Sequence, residues 1–190
     1  MQSYKAPVND MKFILKDFLN SGASDFLFKD NEFELEDLNF IIDESSKFCE
    51  DILLPLNQSG DEEGCKFNNG KVTTPKGFKE AYSKFVENGW QGATLDQNYG
   101  GQGLPYIINV LFDEMISSSN MGFGNYAGLT GNAFEAINKS ASEDLKSIYL
   151  PKMSTGEWSG TMNLTEPQCG TDLGLSKAMA SPQEDGSFRL

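Results

Sequence analysis

The sequence predicts a mainly α-helical protein whose last residues begin a β domain. Apolar residues recur at helical spacing along most of residues 1–157. From Trp158 to Leu164, apolar and polar residues instead alternate with a period of two, which is typical of a strand with one buried face. We therefore expect a short extra helical segment over residues 1–33, an all-α domain over residues 34–157 and an incomplete β domain over residues 158–190.

Two amphipathic helices are predicted in the first third of the chain. Apolar residues at helical spacing indicate a short helix over residues 7–19, which residues 20–22 (Asn-Ser-Gly) should end. A longer apolar stripe indicates a helix over residues 34–53. We expect Pro55 to stop that helix, because proline has no N–H group with which to continue the hydrogen-bond ladder.

The middle of the chain should alternate loops with helices. Residues 58–70 are polar and contain several glycines, which predicts a loop. Thr74 and Pro75 then suit the N-cap and the first position of a helix that Gly89 ends. Residues 100–103 (Gly-Gly-Gln-Gly) lack the lysine and hydroxyl residue of a phosphate-binding loop, so we interpret them as a turn.

The remaining helices lie between residues 105 and 151. One is predicted over residues 105–116, ended by three serines, and the next, over residues 121–139, is rich in glycine and alanine. Such small residues allow the close approach of either a neighbouring helix or a ligand. A capped helix then follows residues 140–143 and should end at Pro151. Residues 176–190 predict a β-hairpin.

The composition excludes several classes of function. Twenty-eight acidic and 15 basic residues give a formal charge of −13, so nucleic acids and anionic membranes are poor partners. The absence of histidine excludes Ser-His-Asp catalysis and histidine-ligated metals, and we expect no metal site. Cys49, Cys65 and Cys169 are far apart and odd in number, which predicts reduced thiols in a cytoplasmic protein. No apolar run is long enough to span a membrane.

Residues 158–172 carry the most specific chemistry of the sequence. Pro167 should end the predicted strand, and the following loop contains Gly170, which is free to take a positive φ. The polar face of the strand is formed by Ser159, Thr161, Asn163 and Thr165. Such a strand and loop can offer hydrogen-bond donors to a planar heteroaromatic and then to a phosphate. On these residues alone, an ordinary amphipathic strand and turn remains the alternative.

Residues 161–174, TMNLTEPQCGTDLG, resemble the flavin-binding signature of the acyl-CoA dehydrogenase family. They depart from the family pattern at Cys169, usually alanine, and at Thr171, usually serine. Residues 89–105 also resemble the family, and residues 4–19 are similar to the extra N-terminal segment of larger bacterial members such as methylthiopropanoyl-CoA dehydrogenase-like enzymes. The resemblance implies the N-terminal helical bundle of an acyl-CoA dehydrogenase, followed by the first strands of its middle β-barrel domain.

The resemblance further implies that FAD is the cofactor. The positions that match the family's cofactor-binding residues are Met162, Asn163, Leu164, Thr165, Gly170 and Thr171. The Thr165 hydroxyl would bond the pyrimidine edge of the isoalloxazine ring, whereas Gly170 and Thr171 would lie beside the pyrophosphate. Thr171 would also lie near the CoA part of the substrate, and the helix over residues 121–139 would line the fatty-acyl pocket. No catalytic residue is expected in this chain, because the family's catalytic glutamate belongs to the C-terminal helical domain, so the chain alone should be inactive.

The implied activity is FAD-dependent α,β-dehydrogenation of an acyl-CoA thioester to a trans-2-enoyl-CoA. The expected partners are the acyl-CoA substrate, an electron-transfer flavoprotein as electron acceptor, and further copies of the chain in a homo-oligomer. Two alternatives remain open. An acyl-CoA oxidase or flavin hydroxylase of the same superfamily would keep the flavin strand and differ elsewhere. A non-enzymatic, acidic helical interaction module would need the signature to be coincidental.

Overall fold

The computed structural model of the chain describes residues 3–19 and 33–190. Two compact units are present, Met1–Gly160 (the helical unit) and Thr161–Leu190 (the C-terminal unit). The described α-helices are α1 (Val8–Phe13), α2 (Leu35–Phe48), α3 (Leu54–Glu63), α4 (Phe78–Glu87), α5 (Tyr106–Ser140) and α6 (Glu143–Ser154). The described strands form two hairpins, β1 (Lys66–Asn68) with β2 (Lys71–Thr73) and β3 (Ser181–Pro182) with β4 (Phe188–Arg189). The predicted mainly α-helical fold is confirmed.

The N-terminal segment packs into the core of the helical unit. α1 continues directly into a π-helical turn, Ile14–Leu19, so the first predicted helix is confirmed through Leu19. Its predicted end at residues 20–22 lies outside the described residues. Met11 and Leu15 are almost fully buried and belong to the main hydrophobic cluster. The apolar face of this segment therefore contributes to the stability of the whole unit.

α2 and α3 form one continuous helix through a π-helical turn, Cys49–Leu53, so the prediction that Pro55 stops the helix was wrong. Pro55 is the second residue of α3. It follows the π-helical turn directly, and the helix continues past it although its nitrogen has no hydrogen to donate. The helix instead ends before Gly64, whose φ of 63° is in the left-handed region.

The segment that follows α3 also differs from its prediction. Residues 58–70 are not a loop throughout, because their first part is helical and their last part belongs to the β1–β2 hairpin. Thr74 and Pro75 do not start α4, which begins at Phe78. The residue before it, Gly77, has a φ of 89°, and this left-handed conformation cannot continue a helix begun at Pro75.

α5 is bent at Asn120, whose φ of −159° and ψ of 84° lie outside the helical region. The buried Asn120 amide donates to the Leu53 carbonyl at 3.1 Å, and its Oδ1 accepts from the Phe123 N–H at 3.0 Å. One side chain thus satisfies a backbone acceptor and a backbone donor at the bend. The helices predicted over residues 105–116 and 121–139 are therefore the two halves of α5, and they are separated at the non-helical Asn120, directly after the three serines.

α6 begins at Glu143 with Ser142 as its N-cap, two residues after the cap that the predicted capping box over residues 140–143 implies, and it does not end at Pro151. The Ser142 hydroxyl accepts from the Leu145 N–H at 3.5 Å. Pro151 lies inside the helix, which continues to Ser154, so the predicted end was wrong. A proline near the C-terminal end of a helix removes one hydrogen bond and leaves later ones in place; the Thr155 N–H, for example, donates to the Pro151 carbonyl at 3.3 Å.

The main core joins α2, α4 and α5 through four phenylalanines. Phe48, Phe85, Phe112 and Phe123 make ring contacts with centroid distances from 5.6 to 6.5 Å. Rings at these separations pack favourably beyond the apolar area that they bury. A smaller cluster between α5, α6 and the preceding loop is formed by Leu95, Phe134, Leu150 and Met153.

The C-terminal unit holds the predicted hairpin, in which Ser181 pairs with Arg189. The strand predicted over residues 158–164 is absent: these residues are irregular. A strand needs a neighbouring strand to pair with, and the described residues place none beside this segment. Within the described ranges, no helix combines the length and the apolar character needed to cross a bilayer.

Candidate functional site

The residues predicted to contact a flavin ring lie in an exposed, irregular segment, residues 161–165. Met162 and Leu164 leave 67% and 51% of their surface exposed. Among the described residues, the backbone N–H groups of this segment have no hydrogen-bond partner, and neither does the Thr165 hydroxyl. The segment therefore presents free donors beside exposed apolar side chains.

A tight turn brings Gly170 next to Thr165. Glu166 and Cys169 exchange two backbone hydrogen bonds, of 3.0 and 3.1 Å. A Cβ atom placed on Gly170 would lie 3.9 Å from the Thr165 Cγ2 atom. Gly170 does not take the positive φ that its sequence position allows. Two of the predicted site residues are thus adjacent across the turn.

The other two polar residues of the predicted site, Asn163 and Thr171, are also exposed. The Asn163 amide donates to the Thr161 hydroxyl at 3.0 Å. Thr171 precedes Asp172, whose Oδ1 accepts from the Gly174 N–H at 3.2 Å and caps a short 3-10 helix. The side chain of Asp172 therefore orders the chain just beyond Thr171, whereas the Thr171 side chain is left to the solvent.

Glu166 organises the same loop, a role that its position in the sequence does not reveal. Its Oε2 accepts from the Lys177 N–H at 2.9 Å and its Oε1 from the Ala178 N–H at 3.0 Å. These two bonds, together with one from the Gln168 amide, hold the pKa of the Glu166 carboxyl below its ordinary value. No periodic pattern points to them, because the backbone partners lie 11 and 12 residues along the chain.

These features fit the FAD that the signature implies. Free N–H groups and the Thr165 hydroxyl match the polar edge of a flavin ring, and Met162 and Leu164 offer apolar surface to its face. Gly170 has no side chain to keep a phosphate away from the backbone. The residues present therefore have the chemistry to hold the cofactor.

The helical unit contains a cavity of about 590 Å³ between the two halves of α5 and residues 90–95. Its volume falls within the range of about 300–1,000 Å³ that is usual for small-molecule sites. Phe112 and Ile116 contribute apolar surface from the first half of α5. The second half contributes residues with a methyl side chain or none, namely Gly124, Ala127, Gly128 and Gly131. The glycine-rich part of α5 thus lines open space.

Asp113 is the one carboxyl group in the described part of the chain whose pKa is raised, and it lines this cavity. Burial raises the pKa of Asp113, while a hydrogen bond from the Asn109 amide, 2.8 Å long, opposes the rise. Asp113 nevertheless keeps an exposed surface, so the shift is no evidence of an enclosed site. No reacting group lies beside Asp113, so we assign it no catalytic role.

Other reactive groups are few in the described part of the chain. It contains no cluster of three or more side chains that could hold a metal ion. All three cysteines are free thiols; Cys49 and Cys169 are buried, whereas Cys65 is exposed. Burial raises the pKa of the Cys49 thiol to about 12, which makes it a poor nucleophile at neutral pH.

Comparison with known proteins places the chain in a family. The family model described as acyl-CoA dehydrogenase, N-terminal domain, matches residues 36–157. The 3-methylmercaptopropionyl-CoA dehydrogenase of Ruegeria pomeroyi is 39% identical over 188 residues, covering 99% of this chain and 32% of the relative. A butyryl-CoA dehydrogenase of Syntrophomonas wolfei is 35% identical, covering 96% of this chain and 30% of the relative.

A solved structure shares the fold. The ChsE4–ChsE5 complex of Mycobacterium tuberculosis contains a chain that matches with a TM-score of 0.54 and 17% identity, covering 95% of this chain and 36% of that one. The present chain therefore spans about a third of the length of these proteins. The family model covers most of the described helical unit, and relatives match almost the whole chain. The chain belongs to the acyl-CoA dehydrogenase family.

Proposed function

We propose that this chain is the N-terminal part of an FAD-dependent dehydrogenase that converts an acyl-CoA thioester into a trans-2-enoyl-CoA. The observation that carries the proposal is the state of residues 161–165, which are exposed and have unpaired N–H groups. The turn that follows them brings Gly170 beside Thr165. Family membership supports the class of reaction, and the names of the two relatives support acyl-CoA as the class of substrate.

In this proposal the segment and its turn hold the cofactor. The binding residues are Met162, Asn163, Leu164, Thr165, Gly170 and Thr171. The Thr165 hydroxyl would donate to the pyrimidine edge of the flavin, and the backbone at Gly170 and Thr171 would hold the pyrophosphate. Thr171 also contacts the CoA part of the substrate. When bound, FAD supplies the hydride acceptor for the substrate Cβ atom.

The cavity of the helical unit is the proposed location of the acyl group. Gly128 and Gly131 leave space along the second half of α5, where an added Cβ atom would meet nothing within 4 Å, and Phe112 and Ile116 give apolar contacts on the first half. The lining is mixed, because polar side chains such as Gln91, Asn109 and Asp113 stand beside the apolar ones. We propose that the hydrocarbon part of the acyl group lies along the apolar and small residues, where burial of its methylene groups is favourable without directional bonds.

The base that removes the Cα proton is not assigned to any acid of this chain. The relatives are about three times longer than the matched region. The family resemblance implies a catalytic glutamate in a C-terminal helical domain, outside residues 1–190. We therefore propose that residues 1–190 alone do not turn over acyl-CoA. The protein is also proposed to act in the cytoplasm as a homo-oligomer and to pass its electrons to an electron-transfer flavoprotein.

The test is an anaerobic assay of the intact gene product that contains these residues. Butyryl-CoA and 3-methylmercaptopropionyl-CoA, the thioesters in the relatives' names, should bleach the oxidised flavin absorbance and give an enoyl-CoA product. Absence of bleaching with every acyl-CoA tried, or formation of a hydroxylated product, would refute the proposed function. Rapid oxygen consumption without an added electron acceptor would assign the protein to the oxidases instead.

A further inference from the structure

Glu166 lies within residues 161–174, the signature segment that resembles the family's flavin-binding pattern. Both of its carboxylate oxygens nevertheless accept hydrogen bonds from the chain itself. Oε2 accepts from the Lys177 N–H at 2.9 Å and also from the Gln168 amide, and Oε1 accepts from the Ala178 N–H at 3.0 Å. A carboxylate that already accepts three bonds has little capacity left for a ligand. Glu166 is therefore placed to shape the loop rather than to touch a cofactor or substrate.

Two further contacts close the same loop between its ends. The Gln168 amide also donates to the Leu175 carbonyl at 3.4 Å. The Cys169 Sγ atom lies 3.5 Å from the Ser176 Oγ atom, and Cys169 is buried by this fold of the chain. Residues on both sides of the loop thus converge on the turn at Glu166.

We propose that Glu166 is a positioning residue whose carboxylate holds residues 166–178 in one closed loop around the turn that places Gly170 beside Thr165. This inference rests on the proposed function for its consequence, which is that the cofactor meets a preformed turn. A loop that is ordered before binding loses less conformational entropy when the ligand arrives, so its affinity is higher. The hydrogen bonds that define the closed loop exist without any ligand and can be tested separately.

Substitutions at Glu166 should act in a graded order. In Glu166→Gln one oxygen is replaced by an NH₂ group, which would point a donor at the N–H of Lys177 or of Ala178. Glu166→Ala removes both acceptors. The matched control is Glu184→Gln in the same unit, because Glu184 has the same charge and no hydrogen bond among the described residues.

The first measurement is hydrogen exchange of the intact gene product without added flavin. Exchange at Lys177 and Ala178 should become several-fold faster in Glu166→Gln and faster still in Glu166→Ala. The Gly186 N–H, which donates to the Gln183 carbonyl at 3.1 Å, should exchange at the wild-type rate in all variants. Unchanged exchange at Lys177 and Ala178 would overturn the inference.

The second measurement is FAD titration of the apoprotein, with the visible spectrum of the bound flavin recorded for each variant. The dissociation constant should rise about three- to tenfold in Glu166→Gln, as expected for the loss of one well-placed hydrogen bond, and the spectrum should shift. Wild-type affinity and spectrum in both Glu166 variants would overturn the positioning role. If the wild-type protein binds no FAD, the proposed function fails, and the exchange data alone decide whether Glu166 orders the loop.

Discussion

Gly160, the last residue of the helical unit, is predicted to tolerate no side chain. A Cβ atom at this position would overlap the Ala133 Cβ atom on α5 and would lie 3.4 Å from both the Met153 Cε atom and the Thr130 Cα atom. Carbon atoms in ordinary contact are about 3.5–4.0 Å apart, so Gly160→Ala requires the chain to move away from α5 by roughly 1 Å or more.

The same displacement would stretch a buried hydrogen bond. The Gly160 N–H donates to the Thr130 hydroxyl at 3.1 Å, and Thr130 has no exposed surface. Overpacking costs about 1–3 kcal/mol, and a lost hydrogen bond adds about 1 kcal/mol. We therefore expect Gly160→Ala to lower the free energy of unfolding by about 2–4 kcal/mol.

A double-mutant cycle isolates the clash. Ala133→Gly removes the atom that Gly160→Ala would meet, at a cost of about 1 kcal/mol in helix propensity. In the double variant the two substitutions should therefore cost clearly less than their sum. Gly131→Ala is the matched control on α5, because a Cβ atom there meets nothing within 4 Å and should be neutral or slightly stabilising.

Urea unfolding followed by tryptophan fluorescence measures these effects on the 190-residue chain. Trp158 lies two residues from the substituted site. In the folded chain Lys152 Nζ is 4.2 Å from its ring centroid, so unfolding removes this contact and changes the surroundings of the indole. Wild-type stability of Gly160→Ala, or single-variant costs that add within about 0.5 kcal/mol, would refute the steric argument.

Three further predictions concern other parts of the chain. Thr165→Val should weaken FAD binding or shift the flavin reduction potential, by about 0.5–1.5 kcal/mol. The control Thr73→Val, on the exposed strand β2, should change neither quantity, and unchanged affinity and potential in Thr165→Val would show that Thr165 does not contact the flavin. A thiol reagent should label the exposed Cys65 quickly and the buried Cys49 only on unfolding, so rapid labelling of Cys49 would contradict its burial. Folding stability should fall as the pH rises from about 9 towards 12, because Cys49 keeps its proton in the folded chain and loses it in the unfolded chain. Burial acts to raise the pKa of Glu50, but hydrogen bonds from the Lys5 ammonium and the Ala6 N–H hold it below its ordinary value. The contribution of Glu50 to folding stability should therefore be present above about pH 4.3 and lost as the pH falls through the lowered pKa. Glu50→Gln should reduce stability at pH 7 and flatten this acid dependence, and an unaltered pH profile would argue against it.

Much of the helical architecture could be predicted from the sequence because its apolar positions follow the helical period. The stripe over residues 34–53 and the small residues over 121–139 correspond to α2 with its π-helical turn and to the second half of α5. The errors lie where one residue was taken as a stop. Pro55 follows a π-helical turn and Pro151 lies near a helix end, and in each case the helix continues although one hydrogen bond is missing.

The wrong strand prediction over residues 158–164 has a different cause. The alternation of these residues is that of a strand, but a strand depends on a pairing partner that the local sequence does not specify, and residues 158–164 are irregular. The proximity of Thr165 to Gly170 follows from the turn that Glu166 and Cys169 close with two backbone hydrogen bonds. The partners of the Glu166 carboxylate, the N–H groups of Lys177 and Ala178, lie too far along the chain for any local pattern to show.

The cofactor bound by the intact gene product tests the central claim most directly. The protein should be purified, denatured, and its released flavin identified and quantified against the amount of chain. We predict FAD, stoichiometric with the chain, because the free backbone donors of residues 161–165, the Thr165 hydroxyl and the open backbone at Gly170 suit this cofactor. Release of FMN, or reproducible absence of bound flavin after reconstitution with FAD, would contradict it.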